Sequence, residues 1–197
     1  AAPPSAAPPS SRIPTLPQRP MTAALRPHWD EYFLLIAKLV ATRSTCLACP
    51  VGAVIVKDRQ ILATGYNGPP AGSPHCTDQG FCYDLLSNCG ESKVLPSRSI
   101  HAEANAIAYA AKYGVSVDGA VIYATKEPCL SCLKAIIAAG IRQVFYETAS
   151  DRPDYDPVRK SFVEAGLVEL HPLQISPEAL AKAIDFLQNS HLSQMLS

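Results

Sequence analysis

From residue 101 onward the chain alternates between helical and extended signals with very little linking sequence, and this alternation constrains the fold more than any other feature. Residues 101–113 (HAEANAIAYAAKY) are rich in helix formers and stop before Gly114. Residues 120–125 (AVIYAT) read as a strand, 129–139 (CLSCLKAIIAA) as a helix closed by Gly140, and 141–146 (IRQVFY) as another strand. A helix from Pro157 to Ala165 closed by Gly166, a short strand at Leu167–Leu170 and a last helix from about Pro177 to Leu187 complete the series. Upstream, Tyr32, Leu35, Ile36, Leu39 and Val40 recur at helical spacing between His28 and Arg43. Two β-rich runs, Val51–Val56 and Ile61–Tyr66, flank a polar turn at Lys57–Gln60 and predict a hairpin. A hairpin followed by alternating helices and strands implies an α/β fold, with a mixed sheet and helices on both of its faces.

Two segments do not fit this pattern. Residues 1–20 hold seven prolines among Ala and Ser, so a disordered tail is expected there, with the folded domain spanning 21–197. Residues Gly68 to Ser99 are rich in Gly, Pro, Ser and Cys and have weak periodicity; a loop of that length is uncommon unless it is functional or stapled by a metal. Formal net charge is zero, from 17 Lys plus Arg against 17 Asp plus Glu. A grip on a long polyanion calls for a basic excess, so the balance argues against a nucleic-acid polymer and for a small anionic substrate held by one or two cations. No apolar run approaches the roughly 18 residues that span a bilayer. With no apolar stretch of signal-peptide type in residues 1–20, the expected location is cytoplasmic, and seven cysteines then point to metal ligation or free thiols before disulfides.

Two short motifs carry chemistry: His101-Ala102-Glu103, and Pro128-Cys129-Leu130-Ser131-Cys132. Each stands at the start of a predicted helix. A Cys-x-x-Cys pair puts two sulfurs about one turn apart, near enough to hold one zinc ion, and a helix N-terminus favours the thiolate form. His101 supplies a third ligand. Three protein ligands leave a fourth position for water, which distinguishes a catalytic from a structural zinc site. Glu103, two residues beyond His101, would point about 200° away on a helix; it suits a proton shuttle better than a co-ligand. Alone, His-x-Glu would be an ordinary helix start, and Cys-x-x-Cys a redox pair or half of a structural zinc site. In this order, 28 residues apart and separated by one strand, the two together favour catalytic zinc.

The order His-x-Glu before Pro-Cys-x-x-Cys is that of zinc nucleobase deaminases. From about Ala41 to Gly166 the sequence resembles the cytidine deaminase superfamily and, within it, the deoxycytidylate (dCMP) deaminases. The resemblance rests on Arg43-Ser44 leading into VGAVIVKD, on Gly65-Tyr66-Asn67-Gly68-Pro69-Pro70-Ala71-Gly72, on HAEANAI and on EPCLSC. It implies a three-layer α/β/α cytidine-deaminase-like fold with a five-stranded mixed sheet, in a homo-oligomer such as a hexamer. It implies hydrolysis of dCMP to dUMP and ammonia by a zinc-activated water, supplying dUMP for thymidylate synthesis, with Glu103 moving the protons. It also implies activation by dCTP, carried with Mg2+, and inhibition by dTTP, through a site around Gly65, Tyr66, Asn67 and Gly68. Asn67 would face the nucleotide sugar, although the Asn-Gly pair also suits a plain turn. Arg43, Arg98 and Lys126 are candidates for the 5′-phosphate, with ordinary surface charge as the alternative, and Tyr155 for a substrate-facing aromatic.

Cys46 and Cys76 occupy positions where some members of that family carry ligands of a second, structural zinc. Cys46, Cys76, Cys82 and Cys89 are the candidates here, against the plainer reading of buried free thiols. The rival activities are weaker. Adenosine deaminases acting on tRNA share the zinc motifs but have a shorter path to the zinc histidine than the 33 positions from Gly68 to His101. The Gly-Tyr-Asn-Gly segment argues against a pterin, guanine or free-cytidine deaminase, and Glu103 against a silent zinc module.

Overall fold

A computed structural model of the chain describes residues 26–80, 98–150 and 157–188. The proline-rich segment 1–20, Cys82, Cys89 and Tyr155 lie outside the described residues. The elements run α1 (Trp29–Ala41), β1 (Gly52–Lys57), β2 (Gln60–Tyr66), α2 (Cys76–Gln79), α3 (Ala102–Lys112), β3 (Val121–Lys126), α4 (Leu130–Ala138), β4 (Gln143–Thr148), α5 (Pro157–Glu164), β5 (Glu169–Pro172) and α6 (Pro177–Gln188). The five strands form one sheet in the order β2-β1-β3-β4-β5. The pairs β1–β2 and β1–β3 are antiparallel, whereas β3–β4 and β4–β5 are parallel. This is the expected mixed sheet.

Alternation along the strands sorts the core into two layers, because successive strand side chains point to opposite faces. Ala53 and Ile55 of β1, Ile122 and Ala124 of β3 and Val144 of β4 face one side, where Ala102, Ala106 and Ala110 of α3 and Leu133 and Ile136 of α4 cover them. Val54, Val56 and Tyr123 face the other side, under Phe33, Leu34 and Ala37 of α1. Two glycines let helices lie directly on the sheet. A Cβ on Gly52 would sit 2.1 Å from the Ala37 carbonyl oxygen, and one on Gly65 would sit 2.2 Å from that of Ala102. Helix α1 therefore touches the backbone of β1, and α3 that of β2, on opposite faces.

Strands β4 and β5 begin two residues later than hydrophobicity predicts. Ile141 and Leu167 each follow a glycine of positive φ, Gly140 and Gly166. Their N–H groups donate back to the carbonyls of Ile136 and Phe162, five residues earlier. These apolar residues close the preceding helices in Schellman motifs rather than opening strands. The long Gly68–Ser99 interval also departs from expectation. It contains the short helix α2, and Gly68 and Ile100 exchange both backbone hydrogen bonds at its base, at 3.2 and 2.8 Å.

Candidate metal centre and active site

Helices α3 and α4 begin side by side, and each is preceded by a residue with extended backbone. His101 is the N-cap of α3 (φ −68°, ψ 155°) and Cys129 the N-cap of α4 (φ −68°, ψ 166°). Cys132 is the third residue of α4. Nδ1 of His101 lies 3.4 Å from Sγ of Cys129 and 3.4 Å from Sγ of Cys132. All three ligand atoms lie within 4.8 Å of one another. A tetrahedral zinc with ordinary Zn–N and Zn–S bonds separates N from S by about 3.6 Å, so the donor set and its spacing fit that ion. Among the described residues this is the one group of three such side chains able to hold a metal. His101 is exposed, Cys129 half-buried and Cys132 buried, so the cluster opens to solvent on the histidine side.

Because His101 sits on extended backbone before the helix, the 200° separation expected on a helix does not apply to Glu103. Glu103, the second residue of α3, is buried at 4% exposure. Burial, above all, raises its pKa above the ordinary carboxylate range. The Cys129 thiol is pulled down to about 3, first by a hydrogen bond from Cys132 and then by His101, against its own partial burial. The same Cys132–Cys129 bond, with burial, pushes the Cys132 thiol up. A buried carboxyl with a raised pKa, beside the three candidate metal ligands, is placed to take up a proton and hand it to a bound molecule.

The other sequence candidates take varied places. Asn67 is buried at 7% exposure. Its Oδ1 accepts from the Val51 N–H (2.8 Å) and the Ser44 hydroxyl (2.6 Å), and its Nδ2 donates to the Cys49 carbonyl (2.8 Å). It thereby ties the 44–51 loop to the end of β2. Gly65 packs under α3, the Tyr66 carbonyl accepts from Asn105 Nδ2 of α3 (2.8 Å), and Gly68 is buried beside Thr45. Arg43 is exposed, Arg98 donates to the Gln79 side chain of α2, and Lys126 ends β3 opposite Thr148. Cys46 and Cys76 are buried against each other, and His75 Nδ1 lies 3.1 Å from Thr45 Oγ1.

One arrangement had no signal in the sequence. Glu127, directly before Pro128, forms a nearly buried ion pair with Arg159 of α5, 32 positions away. Only the glutamate lies within a motif; the arginine sits among charged helix residues that read as a surface.

A five-stranded mixed sheet with a His-Cys-Cys cluster at two adjacent helix starts defines a zinc-site deaminase fold. The model of the cytidine and deoxycytidylate deaminase zinc-binding region matches residues 27–148, more than half the chain, and the chain belongs to that family. It is 44% identical over 131 residues to the deoxycytidylate deaminase of Mycobacterium phage D29, covering 64% of this chain and 98% of that protein. It is also 44% identical over 139 residues to ComE operon protein 2 of Bacillus subtilis strain 168, covering 71% of this chain and 68% of that one. Among solved structures, dCMP deaminase from the cyanophage S-TIM5, in complex with dCMP and dUMP, is 31% identical. That match has a TM-score of 0.58 and covers 73% of this chain and 95% of the phage chain. No helix among the described residues is long and apolar enough to cross a membrane.

Proposed function

We propose that this protein deaminates dCMP hydrolytically to dUMP and ammonia, with His101, Cys129 and Cys132 holding zinc and Glu103 as the proton carrier. The observation that carries the reading is Glu103, buried at the start of α3 directly beside the three-ligand cluster. Zinc, when bound there, supplies a Lewis acid and a water acidified from a pKa of about 16 toward 7. Glu103 takes a proton from the attacking water and passes it to N3 of cytosine while the water oxygen bonds to C4; it then carries the water's second proton to the amino nitrogen on C4, which leaves as ammonia. One water is consumed and the C4 amino group becomes a carbonyl. Burial keeps the carboxyl's proton from exchanging freely with solvent during this transfer. The substrate is read from relatives named as deoxycytidylate deaminases and from the phage enzyme that binds dCMP and dUMP.

Arg43, Arg98, Lys126 and Tyr155 remain the candidates for holding the nucleotide, and Asn67 for its sugar. Regulation by dCTP with Mg2+ and by dTTP around Gly65–Gly68, a homo-oligomeric state and a cytoplasmic location belong to the same reading. So does a second zinc on Cys46, Cys76, Cys82 and Cys89, favoured by the packing of Cys46 against Cys76. Ammonia release from dCMP, dCTP, deoxycytidine and CMP, each with and without dCTP–Mg2+ or dTTP, tests substrate and regulation together. Preference for dCMP, raised by dCTP and lowered by dTTP, is expected. Zinc-loaded protein inactive on every cytosine nucleotide would refute the assignment.

A further inference from the structure

Directly before Cys129, the chain is gripped from the side by α5. One carboxylate oxygen of Glu127 pairs with Arg159 Nη1, and the other accepts the Ser150 N–H at 2.9 Å. The Glu127 N–H donates to the Thr148 carbonyl at 2.9 Å, and Arg159 Nη2 donates to the Pro128 carbonyl. The Arg159 and Glu127 side chains are only 13% and 11% exposed, and Pro128 is fully buried. The ends of β3 and β4, the turn into α4 and the first turn of α5 thus meet at one charged pair.

A buried ion pair is weak evidence for stability, since apolar residues of similar volume often serve as well. What an apolar pair cannot do is fix the orientation of a peptide. The guanidinium is a rigid planar fork that bonds a carboxylate and a carbonyl at the same time, which a lysine ammonium cannot do with the same geometry. Here the carbonyl belongs to Pro128, and the next residue is a proposed metal ligand. That peptide leads directly into Cys129, so its orientation sets the φ of Cys129 (−68°) and with it the direction in which the side chain and its Sγ leave the backbone.

We infer that Arg159 is a positioning residue for the metal centre, holding the Glu127–Pro128 turn so that Cys129 presents its sulfur to the ion beside His101 and Cys132. This rests on the zinc reading of the site. Partners of metal ligands typically contribute 10–100-fold in metal affinity, and Arg159 acts through the peptide preceding a ligand.

The test is zinc affinity, measured on the full chain by competition with a chromophoric chelator. Three proteins are compared: the parent, Arg159→Lys, and the double variant Glu127→Gln with Arg159→Met. The double variant removes both charges together and so leaves no lone buried charge to unfold the domain. Its unfolding temperature is expected near the parent's while zinc binding weakens by about 10–100-fold; Arg159→Lys, which keeps the charge, falls between. A folded double variant that binds zinc as tightly as the parent overturns the inference and leaves the zinc reading intact. If the double variant does not fold, parent-like zinc affinity in Arg159→Lys overturns it, and a clear loss supports it. A parent that takes up no zinc overturns both.

Discussion

Nδ1 of His101 lies 3.4 Å from Sγ of Cys132, although 31 positions of chain separate the two residues. The juxtaposition comes from topology. Strand β3 links the end of α3 to the start of α4, and the two helices cover the same face of the sheet with their N-termini together. His101 and Cys129, each the last extended residue before a helix, therefore meet Cys132 in the first turn of α4.

Glu103→Gln keeps the volume of the side chain and removes its ability to carry a proton. The variant is expected to bind as much zinc per chain as the parent and to lose about 10²–10⁴-fold in kcat, the usual contribution of a general acid–base group. Metal analysis beside steady-state kinetics checks both halves. Near-normal turnover would remove Glu103 from the mechanism.

Gly65→Ala addresses the packing of α3 on β2. The added Cβ would stand 2.2 Å from the Ala102 carbonyl oxygen and 2.4 Å from the Ala106 nitrogen, both backbone atoms that cannot rotate away. Helix α3 must move off the sheet, taking His101 and Glu103 with it. A loss of about 3 kcal/mol or more is expected, at the upper end of overpacking costs, together with weakened zinc binding. Denaturant unfolding and chelator competition measure the two effects.

Asn67→Ala removes the amide that joins Val51, Ser44 and Cys49. With the Val51 N–H and the Cys49 carbonyl left without this partner in a part-buried site, destabilisation of about 2–4 kcal/mol is expected. A KM for dCMP raised at temperatures where the variant is fully folded would give Asn67 a nucleotide-facing role as well. An unchanged KM would leave it the loop anchor alone.

Glu31 links the two ends of the structure. Its Oε1 accepts the Ser176 N–H just before α6 at 2.8 Å, and its Oε2 accepts the His28 N–H at 2.9 Å. Hydrogen bonds from Ser176, first, and then from His28 hold its pKa below the ordinary value of 4.5. A carboxyl depressed in the folded state stabilises the fold above its unfolded pKa, and that contribution disappears as pH falls through the folded value. Glu31→Gln should therefore flatten the fall in unfolding temperature as pH drops below about 4.5. An unchanged pH profile would contradict it.

Much of this arrangement was legible in the sequence, for identifiable reasons. The helices and strands follow from local periodicity, and the His-x-Glu and Pro-Cys-x-x-Cys motifs placed four side chains that do come together. Errors arose where one residue type serves two ends. Ile141 and Leu167 are apolar because they close helices after a glycine, and hydrophobicity alone made them look like strand starts. The Asn67–Gly68 pair carried no local signal for what the structure adds, the bonds from its amide to Val51, Ser44 and Cys49 across the 44–51 loop. Arg159 was invisible for the same reason: only the fold shows that its guanidinium is covered by the turn before Cys129.

As proposed, His101, Cys129 and Cys132 bind a zinc ion that the conversion of dCMP to dUMP requires. The most direct measurement strips the protein with a chelator and follows dUMP formation from dCMP as zinc is returned. No turnover is expected in the stripped protein, with recovery that saturates as the catalytic site fills to one zinc per chain. Full dUMP formation by metal-free protein, or none by folded protein with zinc bound at these three residues, would contradict it.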